Sequence, residues 1–140
     1  LRTITAAMKM VTDMERIGDQ AADIAELTIM MADSPYLLNV EHIKKMSAET
    51  VMMLMQAVQA YVERDMKKAQ EVIEHDDIVD ELFVKVKTDL IEVMRNNADY
   101  AEHAADLLMV NKYLERIGDH ATNIAEWVIF SIDDHVNEKA

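Results

Sequence analysis

The chain contains two glycines, and both lie in copies of one five-residue motif. Residues 15–19 read ERIGD, and the same five letters recur one hundred residues later, at 115–119. A glycine inside a helix costs about 1 kcal/mol relative to alanine. Because Gly18 and Gly118 occupy equivalent positions, we expect each to allow close approach of a neighbouring helix or of a group bound to the flanking carboxylates.

The repeat extends beyond this motif. Residues 15–29 and 115–129 are identical at ten of fifteen aligned positions. Such self-similarity predicts two related structural units. We expect residues 34–140 to form a complete three-helix repeat, and residues 1–33 to be the last helix of a truncated preceding repeat. This extra N-terminal helix would bury its apolar face on the complete repeat or on another copy of the chain.

The composition predicts an all-α fold. One proline and two glycines are too few for a turn-rich β fold, although 51% of the residues are hydrophobic. Apolar residues recur at spacings of three and four, which predicts helices over residues 2–32, 37–63, 66–95 and 100–133. We expect these long helices to form an antiparallel bundle, a three-helix repeat plus one extra N-terminal helix.

The same spacing predicts which helix faces are buried. In the second helix the expected core face is Val51, Leu54, Val58 and Tyr61. The fourth helix carries a seam of mostly large residues: Leu107, Val110, Leu114, Ile117, Ala121, Ile124 and Val128.

A second stripe of mainly small residues runs along the fourth helix and is repeated in the first. In the fourth helix it consists of Asn111, Glu115, Gly118, Thr122, Ala125 and Ile129. In the first helix it consists of Val11, Glu15, Gly18, Ala22, Ala25 and Ile29. Small residues let a neighbouring helix approach closely, so we expect the carboxylates of each motif to border a tight helix contact.

Charge and cysteine content exclude several classes of function. A formal net charge of −13 argues against nucleic-acid binding, which requires clustered Lys and Arg. The absence of cysteine excludes disulfides and thiolate metal sites. The most apolar segment, residues 51–62, is far shorter than the ~20 residues of a membrane-spanning helix. We expect a cytoplasmic chain with no direct membrane insertion.

Acidic residues of the third and fourth helices predict a metal site. Asp76 interrupts the apolar seam of the third helix, and Asp80 lies one turn further on. If this pair faces Glu115 and Asp119, the converging carboxylates need a cation to stay ionised. An all-oxygen site favours hard or intermediate ions such as Mg, Mn, Ca or Fe.

The same carboxylates could be accommodated without a metal ion. Arg16 and Arg116, each next to a motif glutamate, could neutralise them as plain ion pairs. Alternatively, the carboxylates could form a solvated acidic face. The sequence also lacks the Glu-x-x-His pattern of ferritin-like di-iron bundles, a phosphate-cradling glycine loop and a recognisable nucleophile. We therefore expect a protein that is not an enzyme.

With these motifs placed, the chain resembles the PhoU family of phosphate-signalling proteins. The resemblance runs through nearly the whole chain. It is carried by the two ERIGD segments, which match the family's Glu/Asp-x-x-x-Asp motifs, by residues 74–80 (EHDDIVD) and by residues 123–128 (NIAEWV). It implies two similar three-helix bundles, of which this chain holds one and the last helix of the other.

The resemblance also implies a function. Family members are cytoplasmic regulators that repress the phosphate-starvation response, acting between a phosphate ABC transporter and a phosphate-sensing histidine kinase. Some bind metal through their acidic motifs. Carried over to this chain, the metal ligands are Asp76, Asp80, Glu115 and Asp119, with Glu15 and Asp19 for the first bundle. The ion would be divalent or trivalent, with Fe, Mn, Mg and Zn as candidates.

Two alternatives accompany this functional prediction. A PhoU-like domain also occurs as the tail of sodium–phosphate cotransporters. A carboxylate-bridged metal enzyme would need an open coordination position and a substrate pocket. Separately from these alternatives, the unpartnered first helix favours self-association as a homodimer. The Glu15/Asp19 pair lacks an opposing acidic motif in this chain, so its site is either empty or completed by another chain.

Overall fold

The computed structural model describes residues 1–32 and 41–133. Within them the chain forms four long helices: α1 (Arg2–Met31), α2 (Glu41–Glu63), α3 (Met66–Asn96) and α4 (Ala101–Ile132). A short 3-10 helix, Ala98–Tyr100, precedes α4. These ranges contain no strand, so the all-α prediction is confirmed. The predicted start of the second helix, near Leu37, lies outside the described residues.

The turn between α2 and α3 is encoded by two residues. Arg64 adopts a left-handed conformation with φ of 53°, which ends α2. Asp65 then caps α3, and its side chain accepts a hydrogen bond of 3.0 Å from the backbone N–H of Lys68. The result is a tight antiparallel hairpin of α2 and α3.

Helix α4 lies at the centre of the bundle and packs against α1, α2 and α3. All seven residues of its predicted large seam are buried. Three members of its small stripe, Asn111, Gly118 and Ala125, are buried as well. Members of both stripes are thus buried, as expected of a helix enclosed on several sides.

The predicted core face of α2 is wrong. Val51 and Tyr61 are 51% and 38% exposed, and Leu54 and Val58 are only partly buried. The buried residues are instead Met46, Thr50, Met53, Ala57 and Ala60. Because α2 packs against both α3 and α4, its inner face uses alanines that allow close approach, and the bulkier residues lie on its flanks.

Helix α1 packs on α4 through one face, whose buried residues are Ala6, Met10, Asp13 and Ile17. The expectation that its small stripe borders a tight helix contact is wrong for this chain. No member of that stripe is buried, and Val11 and Ile29 are 62% and 74% exposed. The reason is that no second helix hairpin lies against this side of α1 within the described residues. None of the four described helices is both long and apolar enough to cross a bilayer.

Candidate metal centre

Three carboxylates converge in the groove between α3 and α4. Asp76 and Asp80 are four residues apart and therefore share one face of α3. Asp119 projects from α4 toward them. One carboxylate oxygen from each of the three lies within 4.8 Å of the others. This separation is short enough for a single ion to contact all three groups.

Gly118 leaves space beside this cluster. A Cβ at this position would lie 3.4 Å from Cγ1 of Val79, 3.7 Å from Cγ2 of Thr50 and 3.9 Å from Oδ1 of Asp76. These are contact distances, so the glycine keeps free a volume of about one methyl group between α4 and the Asp76 carboxylate. Neighbouring side chains therefore surround Gly118, at distances that an added Cβ would meet as ordinary van der Waals contacts. Gly18 differs, since a Cβ there would meet nothing within 4 Å.

Burial and mutual repulsion raise the pKa of the clustered acids. Desolvation is the main cause that raises the pKa of Asp76 to about 6, followed by the charges of Asp80, Asp119 and Asp77, while the Thr122 hydroxyl lowers it. Burial also raises the pKa of Asp119, and the charge of Asp80 raises it further. The charge of His120 lowers it.

Glu115 belongs to the same electrostatic cluster. Burial raises the pKa of its carboxyl first, and the charges of Asp119, Asp80 and Asp76 raise it further. Lys112 acts in the opposite direction. The acidic groove therefore consists of Asp76, Asp80, Glu115 and Asp119, the four residues that the sequence predicted to face one another.

One oxygen of this cluster has no partner. Oδ1 of Asp76 is buried and accepts no hydrogen bond. A buried carboxylate oxygen without a donor is costly, and the usual remedies are a cation or a proton. The orphaned oxygen faces the same groove as the free space beside Gly118.

Ion pairs with arginine do not neutralise the groove. In the described part of the chain, neither Arg16 nor Arg116 takes part in an ion pair. Both arginines are exposed. The donors that lie close enough to share an ion are the carboxylates of Asp76, Asp80 and Asp119, an all-oxygen set that suits Mg²⁺, Mn²⁺, Ca²⁺ or iron.

Glu15 and Asp19 do not join a comparable cluster. Both are exposed on α1. Within residues 1–32 and 41–133, Asp76, Asp80 and Asp119 form the one group of three or more side chains close enough to share an ion. Metal binding by Glu15 and Asp19 stays a prediction, for which an acidic partner helix from outside the described residues would be needed.

Sequence reasoning missed a polar cluster between α1 and α4. Asp13 is only 9% exposed, and its Oδ1 lies 2.8 Å from Nδ1 of His120. The same oxygen accepts a hydrogen bond of 3.3 Å from Asn123. A signal was available, because Asp13 falls on the 4-3-4 spacing of Ala6, Met10 and Ile17, just as Asp76 interrupts the seam of α3.

Comparison with known proteins gives the family. A family model described as the PhoU domain matches residues 1–28 and 43–128. The chain is 38% identical over 132 residues to a phosphate-specific transport system accessory protein PhoU homolog from Clostridium acetobutylicum, covering 94% of this chain and 60% of the relative. It is 33% identical to homolog 1 from Thermotoga maritima, covering 93% of this chain and 56% of that protein.

A solved structure has the same fold. The crystal structure of PhoU from Pseudomonas aeruginosa superimposes with a TM-score of 0.91 at 29% sequence identity, covering 94% of this chain and 64% of that one. The chain thus spans about 60% of the length of the curated relatives it matches.

Proposed function

Because this chain belongs to the PhoU family, we propose that it is a cytoplasmic regulator of phosphate uptake that binds a metal ion in the acidic groove of α3 and α4. Relatives at 30–38% identity are named as accessory proteins of the phosphate-specific transport system. The proposed role is that of a non-enzymatic adaptor between the phosphate ABC transporter and a phosphate-sensing histidine kinase.

The observation that carries metal binding is the orphaned Oδ1 of Asp76. It is buried beside two further carboxylates whose oxygens lie within 4.8 Å, and no donor reaches it. A multivalent cation would satisfy this oxygen and remove the repulsion that raises the pKa of the surrounding acids. Asp76, Asp80 and Asp119 would hold the ion, with Glu115 adjoining them.

The bound ion would also act as a brace. Two of the carboxylates belong to α3 and two to α4, so their repulsion pushes the two helices apart. A cation between them would convert this repulsion into attraction and tie the α2–α3 hairpin to the central helix. The chain as a whole has a formal charge of −13, which would suit it to docking on basic partner surfaces.

The test of the metal site is a binding titration. Protein stripped with a chelator is titrated with Mn²⁺ by calorimetry, beside an Asp76→Asn/Asp119→Asn variant. The matched control is Glu74→Gln/Glu81→Gln, which removes the same charge from exposed positions of α3 outside the groove. We expect the groove variant to lose Mn²⁺ affinity by about 100-fold or more and the control to change by less than about twofold.

Two outcomes contradict metal binding in the groove. One is a parent protein that takes up neither Mn²⁺ nor iron after chelator treatment. The other is a groove variant that binds Mn²⁺ as tightly as the parent. In the second case the ion binds elsewhere, and the orphaned oxygen of Asp76 would have to be protonated.

The adaptor role has its own test. A strain lacking the full-length gene product is expected to express a phosphate-starvation reporter even when phosphate is plentiful, and complementation with that product restores repression. A reporter that stays repressed in the deletion strain contradicts the regulatory role. Complementation with the Asp76→Asn/Asp119→Asn form then shows whether repression requires the groove.

A further inference from the structure

Asn111 is a polar residue at a fully buried position of the central helix. Its exposure is 0%. The buried positions around it follow alternating spacings of three and four, and all the others in this row are apolar or glycine: Ala104, Leu107, Leu114, Gly118, Ala121, Ala125 and Val128. A buried amide lowers stability relative to an apolar side chain of similar size unless its hydrogen bonds are made.

Asn111 makes one bond, and that bond crosses to α3. Its Nδ2 donates to the backbone carbonyl of Phe83 at 3.1 Å. A carbonyl can only accept, so this contact fixes the orientation of the amide. The remaining oxygen, Oδ1 of Asn111, is buried without a partner. The side-chain amide of Asn111 therefore makes a single hydrogen bond, and that bond joins α4 to α3.

This contact lies next to the acidic groove. Glu115 follows Asn111 by one turn of α4, and Asp80 precedes Phe83 by one turn of α3. The charges of Asp80 and Asp76 act on Glu115 across the same interface. The bond between Asn111 and Phe83 thus lies within one turn of a groove carboxylate on each helix.

The apolar packing of α3 carries little information about axial position. Val72, Val79 and Val86 recur at intervals of seven residues and are all buried. Because these side chains are identical and apolar contacts have no direction, they distinguish one axial alignment from another less sharply than a hydrogen bond does. The short connection through Asn97 and the 3-10 helix ties the two helices at one end only, several turns from the groove.

We propose that Asn111, through its hydrogen bond to the Phe83 carbonyl, is a positioning residue that holds α3 and α4 in the register in which Asp76 and Asp80 face Glu115 and Asp119. A single buried asparagine in a heptad-spaced interface sets the register of coiled coils in the same manner, at a cost in stability. The expected effect of Asn111 on metal binding rests on the proposed function, whereas its expected effect on the register of α3 and α4 does not.

The register can be measured directly because the chain contains no cysteine. A Cβ at position 118 would lie 3.4 Å from Cγ1 of Val79, so a Val79→Cys/Gly118→Cys pair reports on the alignment of α3 with α4. The rate of disulfide formation is measured under chelator in this background, with and without Asn111→Val. Mn²⁺ affinity is measured separately, in the cysteine-free chain.

The matched control is Thr50→Val. Thr50 is also fully buried, but its hydroxyl donates to the Ser47 carbonyl within its own helix, at 3.0 Å. Removing that hydroxyl deletes a buried polar group without touching the bond between α3 and α4. We expect Asn111→Val to slow disulfide formation and to weaken Mn²⁺ binding about fivefold each, and Thr50→Val to change neither. The thermal midpoint of Asn111→Val should stay the same or rise.

The disulfide rate decides the proposal. A rate in Asn111→Val equal to that of the parent overturns it, whatever happens to metal binding. If the parent binds no Mn²⁺ but Asn111→Val still slows the disulfide, the positioning role stands and the proposed metal site fails. A lower thermal midpoint together with an unchanged rate would show that Asn111 only contributes to packing.

Discussion

Helices α1 and α4 carry the same five-residue motif in opposite surroundings. In α4, Gly118 is buried, and Asp119, although exposed, lies close enough to Asp76 and Asp80 for the three to share an ion. In α1, Gly18 and Asp19 are exposed, and a Cβ on Gly18 would touch nothing within 4 Å. The local sequence is identical, so the difference comes entirely from what lies against each helix.

This difference shows that the motif supplies only half of a site. Glu115 and Asp119 become a perturbed cluster because α3 brings Asp76 and Asp80 to them. Glu15 and Asp19 meet no such helix within the described residues and lie on the surface of α1. A repeat in sequence therefore predicts a repeated helix, but it predicts a repeated site only where the opposing acidic helix is also present.

The two copies do share the face on which they meet. Ile17 and Ile117 are both buried in the same core, where α1 lies against α4. Their polar neighbours differ, because His120 contacts Asp13 whereas the aligned Gln20 has a buried oxygen without a partner. The contact between α1 and α4 is therefore only approximately symmetric. Its apolar part is shared by both copies, whereas the polar contact with Asp13 is made by His120 and has no equivalent at Gln20.

The largest expected contrast between the copies is in metal binding. Glu115→Gln/Asp119→Asn should weaken Mn²⁺ binding by about 100-fold or more, because it removes two of the four groove carboxylates. Glu15→Gln/Asp19→Asn makes the identical change in α1 and should alter the affinity by less than about twofold. Calorimetric titration of the two variants side by side measures the contrast. An equal loss of Mn²⁺ affinity in both variants would contradict this contrast, since it would require both copies of the motif to hold the ion.

Much of this arrangement could be predicted from the sequence. The helix boundaries follow from apolar spacing and from Asp65 as a cap, and the seam of α4 follows from its regular pattern. The convergence of Asp76 with Asp119 could be predicted because a carboxylate in an apolar seam needs a partner.

The features that differ from the sequence-based expectation have a common physical cause. A prediction based on large apolar residues places the core face of α2 at the wrong positions. A helix that packs closely against two others buries alanines instead. The burial of Asp13 depends on His120, which lies more than one hundred residues away in sequence. Both features depend on distances between helices, which periodicity within one helix does not report.

The second contrast is in the pH dependence of stability without metal. The pKa of Asp76 is raised to about 6 in the folded state, above its ordinary value of 3.8, and burial also raises those of Asp119 and Glu115. The folded state thus binds protons more tightly than the unfolded state. Stability contributed by these groups should fall as the pH rises from about 4 to about 6, and stay low above that.

The exposure of the carboxylates determines how large this change in the free energy of unfolding is, and an exposed aspartate of α1 provides the control. Since the groove is partly open to solvent, we expect the cluster to account for on the order of 2 kcal/mol, after allowance for screening. Urea unfolding under chelator at pH 5 and pH 7.5 measures the part of this loss that occurs above pH 5. Asp76→Asn should flatten the profile, whereas Asp19→Asn, in the exposed copy, should leave it unchanged. A parent more stable at pH 7.5 than at pH 5 would contradict the raised pKa values of the groove carboxylates.

The smallest contrast concerns the two glycines. Gly18→Ala should raise the free energy of unfolding by about 1 kcal/mol, because an added Cβ meets nothing and the helix gains propensity. Gly118→Ala should gain less, since its methyl group would contact Val79 and Thr50 and lie 3.9 Å from the unpartnered Asp76 oxygen. The same methyl would occupy the space beside that oxygen, so Mn²⁺ affinity should fall in Gly118→Ala and not in Gly18→Ala. Urea unfolding and Mn²⁺ titration of the two variants distinguish a glycine that leaves room for an ion from one that has no neighbour. Equal stabilisation with unchanged affinity in both would show that the buried glycine serves helix packing alone.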